Sequence, residues 1–124
     1  MFEGLFVQNN IIETAMQASV LKNDVILNNI ANADTPNYKR KDVEFESILR
    51  DTLESAGKPG GADLSKLKPR VYVADQNYSY RLDGNNVDIE TEMVGFYQNS
   101  TKYDTMTSSV INNYKRINLA LTIK

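Results

Sequence analysis

A chain of 124 residues with a formal charge of −2, 41% hydrophobic and 24% charged, has room for one domain and no surplus of positive charge. Nucleic acid and anionic membrane surfaces are therefore not expected partners. Cysteine and histidine are both absent, which removes thiol chemistry, Cys/His zinc sites, histidine general bases and every nucleophile–histidine pair.

Only carboxylate, lysine or tyrosine chemistry remains for an enzyme, so the expectation is a non-enzymatic protein with no catalytic residue, cofactor or metal. Seven tyrosines beside no tryptophan hint at a surface buried against a partner. No apolar run reaches the roughly 18–20 residues that cross a bilayer. The start, MFEGLFVQNNII, has no basic residue ahead of its apolar part and no small-residue cleavage site, so no cleavable signal peptide is expected.

From about Leu5 to Ala31 the chain lacks proline and glycine, which predicts a long helix in an N-terminal segment spanning 1–33. One apolar row runs through Leu5, Ile12, Met16, Ile26 and Ile30, and a second through Val7, Ile11, Ala18, Leu21 and Val25. Two rows imply more than one packing neighbour. Pro36 biases Thr35 away from helical ψ, so the helix should stop near Asn32 or Ala33. A central segment, 34–86, follows. Within it Asp42 to Ser55 predicts a shorter helix with Asp42 as N-cap, a face of Phe45, Ile48, Leu49 and Leu53, and Gly57 as its stop. Lys58 to Pro69 reads as a linker. Val71–Ala74 and Tyr78–Leu82 predict two short strands in a hairpin, with Asp83–Asn86 as a turn.

The last segment, 87–124, carries a 4–3 alternation: Ile89, Met93, Phe96, Ser100, Tyr103, Thr107, Val110, Tyr114, Ile117 and Leu121. Only Ser100 and Thr107 break its apolar or aromatic character. This is a heptad seam, and it predicts a second long helix. Asp88 is its N-cap candidate; Glu90 and Glu92 early and Lys115, Arg116 and Lys124 late suit the helix dipole. The predicted fold is mainly α. Long N- and C-terminal helices pair as a coiled-coil-like bundle, with a short helix and a small β-hairpin between them. One seam against one partner helix looks insufficient to order rods of about 40–50 Å. Two readings remain open: copies that order fully only side by side, and an antiparallel pair stable by itself.

The link LNNIANADTPNYKRK offers little chemistry. Asp34 is the acid of its first part and has no second carboxylate at useful spacing. Lys39-Arg40-Lys41 reads as a solvated patch. Asp83-Gly-Asn-Asn matches a calcium loop until its fifth position, where Val87 has no ligand atom. As structure the link makes sense. Asn29, Asn32 and Asp34 can satisfy the polar groups a helix end leaves open. Thr35-Pro36 forces an extended exit, Asn37 can take positive φ, and Tyr38 can lie back on apolar surface. The expectation is a rigid elbow.

NNIANADTPNYK closely resembles the signature of the flagellar basal-body rod protein family, and DGNNVDIETEMVGFYQNSTKY is similar to that family's C-terminal segment. Asn37 stands where many relatives have glycine. The length points to the short proximal members, because the larger rod and hook members carry inserted central domains. The resemblance implies a structural subunit whose terminal helices form the inner layer of a hollow, torque-transmitting tube. Helix packing and assembly would fall to Leu5, Ile12, Met16, Ile26, Ile30, Met93, Phe96, Tyr103, Val110, Tyr114, Ile117 and Leu121. The signature elbow is Asn29, Ala31, Asn32, Thr35, Pro36, Asn37 and Tyr38. Implied partners are other rod subunits in a homo- and hetero-oligomeric helical tube, the rod-base adaptor, membrane-ring proteins and the type III export apparatus. The implied location is the flagellar basal body in the periplasmic or cell-wall space. Early export substrates of the family present a phenylalanine followed four residues later by an apolar residue. Phe45 with Leu49 fits, and so does Phe2 with Phe6. A sibling rod protein of similar length and a cytoplasmic coiled-coil binding module are the rival readings.

Overall fold

The computed structural model describes residues 2–56, 64–74, 77–79 and 81–122. The element order is α1 (Phe2–Ala31), β1 (Lys41–Glu44), α2 (Glu46–Ala56), a single 3-10 turn (Leu64–Lys66), β2 (Arg70–Val73) and α3 (Ile89–Thr122). The fold is mainly helical, and the long terminal helices pack on each other, as the heptad pattern predicts. α3 begins where expected: Asp88 Oδ1 accepts the Glu90 N–H at 3.0 Å and its Oδ2 accepts the Thr91 hydroxyl at 2.9 Å. These bonds, the Thr91 hydroxyl foremost, hold the Asp88 carboxyl below its ordinary range.

Two central expectations are corrected. Asp42 does not cap a helix; it lies in β1, and α2 starts only at Glu46. Nor, among the described residues, does Val71–Ala74 pair with Tyr78–Leu82, of which Tyr80 lies outside them. The two-stranded unit is present, but β2 pairs antiparallel with β1, Lys41 opposite Val73 and Glu44 opposite Arg70. Val43 turns inward while Asp42 and Glu44 find cations, at Lys22 (3.8 Å) and Arg70 (2.6 Å). β1 thereby closes against α1, a long-range gain that outweighs the local capping preference. Gly57 and the first half of the Lys58–Pro69 linker, 58–63, lie outside the described residues. The core sits where α2 meets α1: Ala18, Phe45 and Leu67 are buried, with Ile11, Ala15, Ile48 and Leu49 around them.

The pairing of α1 with α3 has a polar axis. Asn113 Nδ2 donates to Asn9 Oδ1 at 2.9 Å. Asn99 Nδ2 donates to Ser19 O at 2.7 Å and to Asn23 Oδ1 at 2.8 Å. Asn29 Nδ2 donates to Glu92 Oε2 at 3.0 Å. Partners that rise along α1 fall along α3, so the pair is antiparallel. Asn9 and Asn23 are two heptads apart, as are Asn113 and Asn99. On α3 the buried residues are Glu92, Asn99 and Asn113, while Met93 (38% exposed), Tyr114 (48%) and Leu121 (70%) face outward. The helix is therefore turned off the seam that its apolar residues alone predict.

Candidate functional site

The link between α1 and β1 and the segment ahead of α3 close on each other as a clasp. Pro36 and Asn37 occupy the middle of a tight turn in which the Tyr38 N–H reaches Thr35 O at 3.3 Å. Asn37 has φ of 60°, as a type II turn with proline at its second position demands. This corrects the expected extended exit: the chain turns back. The Asn37 N–H donates to Asp83 O at 2.8 Å. Gly84, at φ 80°, comes so close that a Cβ there would lie 2.5 Å from Asn37 Oδ1.

Amide side chains do the rest. Asn85, fully buried, donates from Nδ2 to Asn32 O and Thr35 O, both at 2.9 Å. Arg81 donates to Ala33 O at 2.8 Å. Carbonyls of the turn just past the end of α1 are thus bonded by residues far along the chain. Asn86 Oδ1 accepts the Arg40 N–H at 2.7 Å, and Lys39 Nζ donates to Gly84 O at 2.7 Å. Asn29, also fully buried, acts on the other side. Its Oδ1 accepts the Lys41 N–H (2.9 Å) and the Tyr38 hydroxyl (3.1 Å), and its Nδ2 donates to Lys41 O (2.7 Å) besides Glu92. One side chain therefore serves the main chain of β1 much as a neighbouring strand would.

The charge at the centre is Glu92, whose side chain is 2% exposed and takes Arg40 Nε at 2.8 Å. Burial on its own would lower the Arg40 pKa, but the bond and charge of Glu92, with Asp42 beside it, outweigh that and hold the guanidinium above its ordinary value. The Tyr38 phenol is pushed up, first by burial and then by the Glu92 charge. Arg40 is thus not part of a solvated patch, and the half-buried Tyr38 is held by its hydroxyl. Glu92 pairs across the clasp in addition to standing in the first turn of α3.

A groove of about 970 Å³ runs between the helix pair and β1–α2, lined by Ala15, Ala18, Phe45, Gly95, Asn99 and Lys102 among others. Its acids are each taken by a cation: Asp42 by Lys22, Glu44 by Arg70, and Glu46 by Lys102 at 2.6 Å. The Lys102 hydrogen bond and charge lower the Glu46 pKa. Among the described residues no group of three acids could hold a metal ion. No helix there is long and apolar enough to cross a membrane.

Of the residues singled out for assembly, Ile26 is buried. Ile12, Met16, Ile30, Phe96, Tyr103, Val110 and Ile117 are half-buried, and Met93, Tyr114 and Leu121 face out. The side chains of Phe2 and Leu5 lie outside the described residues. In the elbow Asn29 is buried, Asn32 and Tyr38 are half-buried, and Ala31, Thr35, Pro36 and Asn37 are exposed. Phe45 is buried and Leu49 half-buried in the core. Sequence reasoning missed Asn9, Asn23, Asn99, Asn113 and the Glu92–Arg40 pair. The available signal was asparagine recurring at heptad spacing on both helices.

Clasp and helix pair define a protein whose chemistry is spent on joining its own two ends. The family model described as flagella basal body rod protein matches residues 10–39, most of α1 and the elbow. A flagellar basal body rod protein FlgB of Bacillus subtilis is 35% identical, covering 98% of this chain and 96% of the relative. FlgB of Borreliella burgdorferi is 35% identical over 82% of this chain and 85% of the relative. FlgB of Yersinia enterocolitica is 32% identical over 75% and 77%. The chain belongs to the flagellar basal body rod protein family and is a structural subunit of the basal-body rod. Its relatives are structural rod proteins, which fits a non-enzymatic role.

Proposed function

We propose that the chain is a proximal rod subunit that assembles through the outer faces of its helix pair. Segments 1–33 and 87–124 form the tube-lining core, and 34–86 sits outside it. The observation that carries this reading is an inverted pattern of burial. Among the described residues the core is small, with three alanines among its nine members, and the buried polar residues are as numerous. Meanwhile Phe6, Val7, Val20, Leu27, Met93, Val94, Tyr97, Ile111, Tyr114, Leu119 and Leu121 are exposed along both rods. Exposed apolar rows of this extent mark surfaces awaiting a partner.

The neighbours are other rod subunits, the adaptor at the rod base and the surrounding membrane-ring proteins. The assembled tube transmits torque and passes exported subunits. The subunit reaches its periplasmic or cell-wall location through the flagellar export apparatus. Phe45 and Leu49 are packed in the folded chain, so any reading of them by an export gate precedes folding. The test uses Tyr114→Asp and Leu121→Asp beside Val110→Asp and Ile117→Asp. All four should abolish incorporation and swimming while the protein is still made, and the first two should leave the purified monomer's helicity unchanged. Normal motility in the four strains refutes the proposal. A chain found only in the cytosol, as a stable dimer, favours a cytoplasmic coiled-coil module instead.

A further inference from the structure

α3 carries two heptad seams that share one row, Phe96, Tyr103, Val110 and Ile117. In one seam the second row is Glu92, Asn99, Met106 and Asn113; in the other it is Met93, Ser100, Thr107, Tyr114 and Leu121. Burial of apolar area favours turning the latter inward. The structure turns the polar residues of the former inward: Glu92, Asn99 and Asn113 are buried, Ser100, Met106 and Thr107 are half-buried, and Met93, Tyr114 and Leu121 are exposed. Asn9 even keeps a buried Nδ2 with no partner, a cost that an all-apolar seam would not carry. Hydrophobic gain is therefore not what sets the rotation of α3.

We propose that the amide pairs Asn9–Asn113 and Asn23–Asn99 form a rotational lock that keeps the apolar row outward, reserved for a second copy of this chain. This rests on the assembly reading above. Successive helical residues are about 100° apart, so passing between seams that share a row requires a rotation of about 50°. At the roughly 5 Å radius of an asparagine tip the arc is about 4 Å. That displacement breaks the 2.9 Å bond to Asn9 and the 2.7 and 2.8 Å bonds to Ser19 and Asn23, stranding buried amides. Buried polar residues in a helix seam specify arrangement at a cost in stability.

The outer row has no such stake. Ser100 donates to Phe96 O at 2.9 Å and Thr107 to Tyr103 O at 3.0 Å, both within α3. A neighbour can cover these hydroxyls without stranding a donor. The exposed side chains on and beside this row, Met93, Tyr97, Ile111, Tyr114 and Leu121, offer on the order of 600 Å², about three quarters of the roughly 800 Å² that one side of a standard interface buries.

The chain has no cysteine, so an introduced one reports alone. Tyr114→Cys measures exposure of the outer row by thiol labelling, and Met106→Cys that of the inner row. Labelling is done on dilute full-length chain shown to be monomeric by sedimentation. The first background, Ser100→Leu with Thr107→Leu at two half-buried positions, makes the outer row continuously apolar and adds good helix formers, and its helicity is checked by circular dichroism. The lock predicts an unchanged Tyr114→Cys rate there, with copies associating at lower concentration. Protection of Tyr114→Cys in the monomer overturns it.

Adding Asn99→Ala and Asn113→Ala then releases the lock. The Tyr114→Cys rate should fall about tenfold while that of Met106→Cys rises, with helicity retained. An unchanged order in a helical chain overturns the proposal; if helicity is lost, the first background decides. A labelling pattern as expected, with no association at any concentration, sinks the assembly reading and leaves the lock standing.

Discussion

Replacing Asn29 by alanine is the sharpest probe of the clasp. The side chain is fully buried and bonds to Lys41 N–H, Lys41 O, the Tyr38 hydroxyl and Glu92. Lys41 is exposed and its main chain can turn to water, so most of the loss falls on the other two partners. Stranding a buried polar group costs about 1–3 kcal/mol, and more when it is charged. The expected loss for Asn29→Ala is thus about 3–5 kcal/mol, a third or more of the roughly 5–15 kcal/mol that holds a typical domain. For a chain of this length the melting temperature should fall by about 10–20 °C. Thermal melts followed by far-ultraviolet circular dichroism on dilute protein measure it. Asn28→Ala serves as control, because Asn28 is exposed and donates only to Asp24 O within α1; it should stay within about 0.5 kcal/mol. A loss below about 1 kcal/mol for Asn29→Ala would show that the clasp does not organise the fold.

Arg40→Met should cost about 3–5 kcal/mol by leaving the Glu92 charge buried beside an amide alone, whereas Glu92→Gln should cost clearly less; paired denaturant titrations check the order. Gly84→Ala should lose about 1–2 kcal/mol, since alanine at φ 80° is strained and its Cβ meets Asn37. Gly95→Ala should gain about 0.5–1 kcal/mol in the same assay, because its Cβ would meet Ile26 at an ordinary 3.7 Å inside α3. Acid should loosen the fold. Glu46 and Asp88 titrate below their ordinary values when folded, so their contribution is whole above pH 4.5 and 3.8, the ordinary values, and is lost as pH falls through the lowered ones. Glu46→Gln should flatten that limb of a pH–stability curve, and an unaltered curve would count against the Lys102 strap.

Much of the architecture was legible locally. Periodicity, Asp88 as a cap, and the absence of proline and glycine between Leu5 and Ala31 all report on a few neighbouring residues, and these define both long helices. Asn37 at positive φ was legible for the same reason. The Asp42 cap and the Tyr78–Leu82 strand failed because strand pairing is non-local: Lys41–Glu44 becomes a strand only when Arg70–Val73 arrives. Of the clasp, the elbow residues could be named in advance, but not their partners. Asn85 caps Asn32 and Thr35 across some fifty residues of chain, and nothing local announces that.

Alone, the sequence determined that two long helices exist, that the first carries two apolar rows, and that no histidine or cysteine chemistry is possible. Which face of α3 turns inward was decided only in three dimensions. A heptad repeat gives spacing, but two rows one residue apart have the same spacing and differ by about 100° around the axis. The choice between them rests on whether the amides of Asn99 and Asn113 find partners, and those partners, on α1, lie at the opposite end of the chain.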